Sequence, residues 1–586
     1  MFRYQRYIEK QYDRVYPQIL CGRGVKEEDV YRWIAANPEM ITPWEFLDDD
    51  YQMTKAVNEV RETIDNNDDI LVVVDSDADG FTSAAIFINY IYKLNPVYAV
   101  NHIDYFVHEG KQHGLADVPF NDKYRLIVCP DSASNDYEQH KIWRDNGKFV
   151  IILDHHEAPY ISQDAITVNN QLCDYPNKDL SGAGITWQFC RAYDFYYEEN
   201  YADELIDLAA LGNISDMMDY RSLEIRALVC LGLSQIVNPF FSKMVEYNEY
   251  SINKMGGINY FSIAFYVTPF INSVVRSGTP EEKELLFKSM LLQFADVQVP
   301  NGKRGHKGEY IDLPSEAVRQ TANVKTRQTK LVDETMNFLK KKIETEKLNT
   351  NPVMILLCEP GEVETNIAGL VANKLQSLYQ RPTFVLIKTY DFESKSYIYK
   401  GSARNYSMSE VKNLRELSEQ TGSIEYAQGH EGAFGFAIKE NDLDAFASLL
   451  FNNYKDVSLE PTYYVDYIWN EHTVDPGTIL TIAGLGELWG TGIPESYVAL
   501  EQIFLKDCLI TLLGMDKGHP TIKITLPNGV DIMKFKSSEE EFHSLADNND
   551  NLRLYAVCKP QKNEWNEIIT PQLIIEDYYL KEEWVF

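Results

Sequence analysis

Several acidic and histidine side chains stand directly after short apolar segments, where they could bind metal ions together. Carboxylates that crowd one place repel each other unless cations neutralise them. Oxygen and nitrogen ligands without thiolates suit Mn²⁺ or Mg²⁺, and a pair of such ions activates water and clamps a phosphodiester for in-line attack. The sequence therefore predicts metal-dependent phosphodiester hydrolysis. The residues concerned are Asp75, Asp77, Asp131, Asp154, His155 and His156.

The apolar segments before these residues are typical of strands buried in a parallel sheet. They alternate with helical patterns, which predicts a doubly wound α/β domain over residues 45–235. Ligands bind at the carboxyl ends of the strands in such sheets, so three strand ends would direct their side chains at one crevice. Asp216, after an apolar helical segment, is placed to close this ring from one side. The apolar segments are 70–74, 126–128, 150–153 and 166–168.

The acidic run from Asp75 to Asp79 has simpler interpretations as well. It could be a solvated turn in which Asp79 caps the helix expected from about Thr82 onward. It could also be an EF-hand loop, but no Glu follows at the position that such a loop requires. The acidic and histidine residues at the other strand ends weaken both interpretations. The role of Asp79 stays open: it could cap the helix or bind a metal ion.

The charge balance restricts how the protein could bind nucleic acid. The 586 residues include 55 Lys and Arg and 88 Asp and Glu, a net charge of −33. This argues against a uniformly basic surface, so a nucleic acid would need a local basic groove or bound metal ions. Residues 303–347 carry a net charge of +4 and are the best candidate for a phosphate-facing surface. A solvated connector with ion pairs between helical turns is the alternative.

The cysteine pattern and the apolar segments predict the cellular compartment. Eight Cys are scattered singly, which indicates neither a zinc module nor a disulfide framework. The N-terminal residues have no apolar core of the signal-peptide type, and no stretch approaches the roughly 18 apolar residues that span a bilayer. We therefore expect a soluble, cytoplasmic protein that has no membrane partner.

The order of strand and helix patterns predicts five segments. A second, smaller α/β unit follows the catalytic one, and the last segment has short strands separated by turns, which is typical of a small β-barrel. Apolar residues between 332 and 343 recur at helical spacing and form the stripe of one amphipathic helix. The predicted segments are 1–44 (N-terminal), 45–235 (doubly wound α/β), 236–345 (helical connector), 346–455 (smaller α/β) and 460–586 (barrel).

The order and spacing of the acidic and histidine motifs resemble motifs I to IV of the DHH phosphoesterases. Residues 173–185 resemble the segment between motifs III and IV in the RecJ-type single-strand DNA exonucleases of this family. The presence of that segment distinguishes RecJ-type proteins from shorter members of the family. The four motifs are matched by Asp75-x-Asp77-Ala-Asp-Gly, Asp131, Asp154-His155-His156 and Asp216.

The resemblance extends over almost the whole chain. Gly401-Ser402-Ala403-Arg404 and residues 428–435 resemble the substrate-binding motifs of the DHHA1 domain. Residues 488–494, 563–566 and 571–577 are similar to the OB-fold domain that RecJ-type enzymes carry for single-stranded DNA. The resemblance therefore implies a DHH domain, a DHHA1 domain joined to it by helices, and a C-terminal OB-like barrel that binds nucleic acid.

The resemblance also implies roles for the metal-binding residues. Two Mn²⁺ or Mg²⁺ ions would share Asp131 as a bridging ligand. Asp154 would orient the neighbouring histidines, and His156 would contact the scissile phosphate or a metal-bound water. The catalytic residues would thus be His156, Asp154 and Asp131. The other implied ligands are Asp75 on one ion and Asp77, His155 and Asp216 on the second.

Substrate binding is implied at two places. In the connector, Asn272 and Arg276 match a phosphate-binding motif of the family, but Phe270 stands where RecJ-type proteins usually have Arg. In the smaller α/β unit, an Arg would grip phosphate and a Gly would let backbone N–H groups approach it. The implied substrate-binding residues are Asn272, Arg276, Ser402, Arg404, Gly429 and His430.

The leading functional hypothesis is a metal-dependent 5′ to 3′ exonuclease that releases mononucleotides from single-stranded DNA in recombination, repair or phage replication. Its polarity is implied by the resemblance alone. A phosphodiesterase acting on short oligonucleotides or cyclic dinucleotides is one alternative, and the C-terminal barrel argues against it. A non-catalytic replication scaffold is the other, and the presence of all the implied ligands argues against it. The partners would be single-stranded DNA and a single-strand-binding protein or helicase, in a bacterial or phage-infected cell.

Overall fold

The computed structural model describes residues 2–110, 112–392, 395–515, 518, 520–547 and 549–582. The chain forms two compact units, each built from discontinuous segments. We call the unit of residues 23–327 and 486–494 the catalytic unit, because it contains the acidic and histidine motifs. The other unit contains residues 1–22, 328–485 and 495–586, and we call it the two-sheet unit.

The catalytic unit is built on a five-stranded parallel sheet. Its inner strands are almost continuously apolar and buried, as expected for a sheet that is covered on both faces. The carboxyl ends of the strands lie at one edge, which confirms the doubly wound α/β fold. From one edge of the sheet to the other, the strands are Ile103–Val107, Asp69–Val74, Tyr124–Pro130, Phe149–Asp154 and Ile166–Asn169.

Helices surround this sheet, and the chain after the sheet forms a largely helical segment. The helix Ala78–Leu94 begins directly after the first acidic motif, four residues earlier than the start expected near Thr82. A short hairpin, Gln298–Pro300 with Tyr310–Asp312, precedes a long helix, Leu313–Glu346. The long helix is divided between the two units after Arg327. The remaining helices of the catalytic unit are Val30–Ala35, Gln52–Asp65, Pro96–His102, Tyr137–Asp145, Gly182–Tyr197, Ile206–Ser215, Leu223–Ser234, Pro239–Tyr247, Glu249–Lys254, Tyr260–Tyr266, Thr268–Ser277 and Pro280–Met290.

The first sheet of the two-sheet unit has five strands and one main helix, Ala368–Tyr379. The predicted stripe of Val332, Met336, Leu339 and Ile343 is buried in the same hydrophobic core as the strand Met354–Cys358. The amphipathic helix predicted from the sequence is therefore confirmed. The strands, in spatial order, are Tyr426–His430, Ala433–Lys439, Ser396–Arg404, Thr383–Asp391 and Met354–Cys358, and Leu414–Glu419 and Leu443–Asn453 are further helices.

The second sheet of this unit has seven strands and contains both parallel and antiparallel pairs. The C-terminal β-structure is therefore confirmed, while its closure into an OB-like barrel stays a prediction. In spatial order the strands are Tyr467–Trp469, Val498–Phe504, Leu552–Trp565, Ile568–Glu582, Asp531–Lys534, Thr521–Thr525 and Leu509–Leu513, and the helices Val15–Gly22, Pro476–Ala483 and Glu539–Ala546 complete the unit.

Two chain segments belong to a different unit from their sequence neighbours. Arg3–Arg6 pairs in parallel with Thr462–Val465, so the N-terminus belongs to the two-sheet unit. Residues 486–494 belong to the catalytic unit, where the amide of Tyr220 donates a hydrogen bond to the carbonyl of Thr491. The motif at 488–494, which the resemblance assigned to an OB-fold domain, therefore packs on the catalytic unit instead.

No single helix among the described residues has both the length and the apolar composition needed to cross a membrane. Taken together, the bent pair Leu223–Ser234 and Pro239–Tyr247 reaches these limits by length and composition only.

Candidate active site

The first acidic motif lies between a buried strand and a helix start. Asp75 follows the strand Asp69–Val74 directly and is 1% exposed. Asp77 is the N-cap of the helix Ala78–Leu94, and its carboxylate accepts a hydrogen bond from the amide of Gly80 at 2.9 Å. A Cβ at Gly80 would lie 2.5 Å from the Cβ of Asp75, so only Gly allows the helix to approach this closely.

Asp131 stands at the next strand end in an unusual backbone conformation. Its φ of +65° is in the left-handed region, which non-Gly residues rarely occupy and which is often found at functional sites. The Asp131 amide donates a hydrogen bond to the carbonyl of Leu153 at 2.8 Å, which ties it to the neighbouring strand. The Asp131 carboxylate is buried, with Oδ1 3.2 Å from Nε2 of His155.

The third motif forms a hydrogen-bonded cluster around Asp154. This fully buried carboxylate accepts hydrogen bonds from the amides of Ser134, His155 and His156 and lies 2.7 Å from Nδ1 of His156. Although burial acts in the opposite direction, the His156 ring, with smaller contributions from His155 and Ser134, holds the pKa of Asp154 below its usual value. Asp154 therefore fixes the ring of His156, whose side chain is 56% exposed.

Asp79 does not cap its own helix, because Asp77 does so. The Asp79 side chain reaches the start of the helix Gly182–Tyr197 and accepts hydrogen bonds from the Ser181 hydroxyl at 3.0 Å and the Gly182 amide at 2.8 Å. Burial, reinforced by the charge of Asp77, raises the pKa of Asp79 to about 7. Asp79 therefore anchors a second helix to the acidic motif through its N-terminal amides.

Three overlapping groups of side chains have potential ligand atoms within 4.8 Å of one another in the described part of the chain. Two of them share Asp131, the residue for which a bridging role is predicted. Beside His155 and Asp216 the structure brings Asp79, whereas Asp77 lies with the first group. The groups are Asp75, Asp77 and Asp131; Asp131, His155 and His156; and Asp79, His155 and Asp216.

The electrostatics of the cluster favour a bound cation. Burial raises the pKa of Asp75, Asp131 and Asp216, and repulsion from neighbouring carboxylates raises it further. The Oδ1 atom of Asp75 is buried, and no described residue donates a hydrogen bond to it. All the donor atoms are oxygen or nitrogen. The cluster therefore fits hard divalent cations such as Mn²⁺ or Mg²⁺.

Two glycines make room for the carboxylates. A Cβ at Gly182 would lie 2.3 Å from Oδ1 of Asp131, and a Cβ at Gly212 would lie 2.3 Å from Oδ1 of Asp79. These distances are far below an ordinary van der Waals contact. Both helices therefore approach the cluster at positions that only Gly can occupy without a shift of the carboxylates.

The predicted connector residues Asn272 and Arg276 lie on the helix Thr268–Ser277 of the catalytic unit. Arg276 is exposed and interacts electrostatically with Asp77. The Oδ1 atom of Asn272 is buried and has no hydrogen-bond partner among the described residues. Phe270, which stands in place of the usual Arg, makes an edge contact with the ring of Tyr247.

The other predicted substrate-binding residues lie together on the first sheet of the two-sheet unit. Ala433 pairs with Arg404 on one side and with His430 on the other, which places these two residues on strands that flank the same position. Gly429 has a φ of +127°, a conformation that favours Gly. A Cβ at Gly369 would lie 2.6 Å from Nη2 of Arg404 and 3.4 Å from Oγ of Ser402. Gly369, which sequence reasoning missed, therefore makes room for the Arg404 side chain.

The net-positive segment 303–347 contains two kinds of surface. On its helix, Arg319 pairs with Glu316, and Arg327 pairs with Glu282. The preceding hairpin loop, residues 301–309, carries exposed Lys303 and Lys307. Part of the segment is therefore a helix with ion pairs, as the alternative interpretation expected.

Sequence reasoning missed His113, whose Nδ1 lies 2.7 Å from Oδ2 of Asp75. The strand that precedes it, Ile103–Val107, was not predicted, because it is only half-buried along its length. Had this strand been recognised, the histidines that follow it would have been found by the same rule as the other motifs.

The chain is similar in sequence to known proteins. The DHH family, N-terminal domain, matches residues 69–213. A putative SPbeta prophage-derived single-strand DNA-specific exonuclease, YorK of Bacillus subtilis (strain 168), is 32% identical over 560 residues, which cover 95% of this chain and 94% of the relative. The single-stranded-DNA-specific exonuclease RecJ of the same bacterium is 26% identical over 557 residues, covering 91% of this chain and 64% of that protein.

A solved structure shares the fold. RecJ from Thermus thermophilus, in complex with Mn²⁺, has a TM-score of 0.71 at 18% identity, with 99% of this chain and 80% of that chain covered. The sequence likeness to YorK spans nearly the full length of both proteins. The chain therefore belongs to the DHH family, in the group of RecJ-type single-strand DNA-specific exonucleases.

Proposed function

We propose that this protein hydrolyses single-stranded DNA from its 5′ end and releases mononucleotides, with two Mn²⁺ or Mg²⁺ ions as cofactors. The observation that carries the proposal is the convergence of carboxylates and imidazoles from separate strand ends into three overlapping ligand groups, two of which share Asp131. The relatives YorK and RecJ are described as single-strand DNA-specific exonucleases, which supports the substrate class.

In this proposal the catalytic unit supplies the chemistry. Bound divalent cations would activate water and neutralise charge on the phosphate. Asp131 would bridge the two ligand groups, and Asp154 would hold His156 by its Nδ1, which leaves Nε2 for a phosphate oxygen. Although burial opposes the charged form, the contact with Asp154 raises the pKa of His156 to about 10. The ring would donate a hydrogen bond from Nε2 to the phosphate oxygen.

The remaining assignments concern binding of the single-stranded DNA. Arg276 and Asn272 would contact phosphates next to the catalytic carboxylates, while Ser402, Arg404, Gly429 and His430 would form a separate phosphate site on their own sheet. The seven-stranded sheet would act as an OB-like domain that binds longer strands. A single-strand-binding protein or helicase as partner, and action in the cytoplasm of a bacterial or phage-infected cell, belong to the same proposal.

The test is a comparison of substrates under one set of conditions. The purified protein is given Mn²⁺ and one long single strand, labelled at either its 5′ or its 3′ end. Parallel reactions contain the matching duplex, the same sequence as RNA, a dinucleotide and a cyclic dinucleotide. We expect early release of the 5′ label as a mononucleotide, gradual shortening of the 3′-labelled strand, and resistance of the duplex.

Two outcomes would contradict the proposal. Early release of the 3′ label would reverse the polarity while leaving the exonuclease assignment in place. Cleavage of the dinucleotide or cyclic dinucleotide, with the long strand untouched, would favour a phosphodiesterase for short substrates instead.

A further inference from the structure

The loop after the strand Ile103–Val107 brings an additional histidine to the carboxylate cluster. Nδ1 of His113 lies 2.7 Å from Oδ2 of Asp75. Because an ionised carboxylate can only accept hydrogen bonds, the imidazole is the donor in this contact. Oδ1 of the same carboxylate is buried, and no described residue donates to it. One oxygen of Asp75 is therefore held by the protein while the other is left for a cation.

The position of this loop is fixed by a buried lysine. Lys283, on the helix Pro280–Met290, is 3% exposed. Its Nζ donates to three successive carbonyl oxygens, those of His108 at 3.1 Å, Glu109 at 2.6 Å and Gly110 at 3.3 Å. Burying an ammonium group is costly unless its donors are satisfied, so the loop backbone must stay in this arrangement.

A second contact holds the other end of the loop. The carboxylate of Asp136 accepts a hydrogen bond from the amide of Leu115 at 2.7 Å. Gly114 has a φ of +67°, and a Cβ there would lie 2.1 Å from Oδ2 of Asp136. His113 therefore lies between two anchored backbone segments, although its own side chain is 61% exposed.

We infer that His113 is a positioning residue of the metal centre: it orients the Asp75 carboxylate toward the cation, and Lys283 holds the loop that carries it. His113 is not among the groups whose ligand atoms lie within 4.8 Å of one another in the described part of the chain, so it acts through Asp75 rather than as a ligand. This inference rests on the proposed metal-dependent function. Partners that hydrogen-bond to metal ligands typically contribute about 10- to 100-fold to metal affinity.

The experiment measures Mn²⁺ binding to the full-length protein by electron paramagnetic resonance, with no substrate present. We expect His113→Ala to weaken one of the two Mn²⁺ sites about 10- to 100-fold. His113→Asn should bind Mn²⁺ nearly as well as the wild type, because the Asn amide nitrogen takes the place of Nδ1 and can donate the same hydrogen bond. Equal Mn²⁺ binding by the wild type and His113→Ala would overturn the inference.

The contribution of Lys283 is tested with Lys283→Met, which keeps the length of the side chain. Lys288→Met is the matched control, because Lys288 lies on the same helix and pairs only with Glu284 among its described ion-pair partners. We expect Lys283→Met to weaken Mn²⁺ binding, with no further loss when it is combined with His113→Ala. Melting curves identify any variant that is unfolded, and fully additive losses would overturn the assigned role of Lys283.

Failure of this inference is distinguishable from failure of the proposed function. If the wild type binds Mn²⁺ and degrades single-stranded DNA while His113→Ala binds Mn²⁺ normally, only the role of His113 is refuted. If the wild type binds no Mn²⁺, both the metal-dependent function and the positioning role are refuted.

Discussion

Replacing Gly182 by Ala should impair hydrolysis without removing any ligand. Gly182 is the first residue of the helix Gly182–Tyr197, and its backbone conformation is one that Ala adopts readily. The added Cβ would lie 2.3 Å from Oδ1 of Asp131, whereas ordinary van der Waals contacts begin at 3.4 Å. Asp131 would therefore have to move by about 1 Å.

The size of the effect follows from this displacement. A 1 Å misplacement of a catalytic group can cost about 100-fold in rate. Overpacking of this kind typically destabilises a protein by about 1–3 kcal/mol, which a unit of this size can tolerate. We therefore expect kcat to fall about 100-fold in a protein that is still folded at the assay temperature.

The assay is single-turnover hydrolysis of a 5′-labelled strand in saturating Mn²⁺, with the melting temperature measured on the same preparation. Gly477→Ala is the control, because the nearest atoms to its added Cβ are 3.6 Å away in ordinary contact. We expect Gly477→Ala to keep the wild-type rate. A folded Gly182→Ala protein with the wild-type rate would show that the position of Asp131 is not important for the reaction.

Further variants and conditions test other parts of the site. Asp131→Ala should abolish hydrolysis in a folded protein, as judged by product release and circular dichroism, because the bridging carboxylate is lost. Chelation with EDTA should stop hydrolysis, and Ca²⁺ should not restore it, because its looser geometry aligns water poorly; this is measured by adding each metal back. Arg404→Ala should raise KM for long strands about 30-fold with little change in kcat, which corresponds to about 2 kcal/mol for a hydrogen bond to a charged group. The raised pKa of Asp79, about 7, means that in EDTA the folded protein binds more protons than the unfolded chain between about pH 4 and pH 7. The contribution of Asp79 to stability therefore falls as the pH rises through this window, and added Mn²⁺ should raise Tm more at about pH 8 than at about pH 5.

The catalytic sheet could be predicted from sequence because its signals are local. Each inner strand is an apolar run that ends at a polar motif, and parallel strands bring those ends to one edge. The segments 126–128 and 150–153 are the buried centres of Tyr124–Pro130 and Phe149–Asp154. The half-buried edge strand Ile103–Val107 gives no comparable apolar run, so it and the histidine loop after it were missed.

The role of Asp79 depended on a contact that local spacing cannot reveal. Its position in the acidic run suggested a cap for the following helix, but that role belongs to Asp77. Asp79 instead receives hydrogen bonds from the start of a helix about 100 residues later. Only tertiary packing brings these groups together, and Gly212 on a third helix, Ile206–Ser215, leaves room there for Asp79 and Ala183.

Two of the C-terminal strands are longer than the sequence predicted. Short strands separated by turns were expected in residues 460–586, but two of the observed strands are long, Leu552–Trp565 and Ile568–Glu582. Their shared turn region is exposed and rich in polar residues, so it lacks the alternation that indicates a strand. The exposed ends of the two strands at this turn could therefore not be recognised from the sequence.

The most direct test of the central claim replaces one non-bridging oxygen of the 5′-terminal scissile phosphate by sulfur. If cations held by the Asp131 cluster contact this phosphate, sulfur should slow hydrolysis strongly in Mg²⁺, which prefers oxygen ligands. Mn²⁺ accepts sulfur more readily and should restore much of the rate in one of the two phosphorothioate isomers. An equal and small effect of sulfur in both metals would contradict direct metal contact with the scissile phosphate.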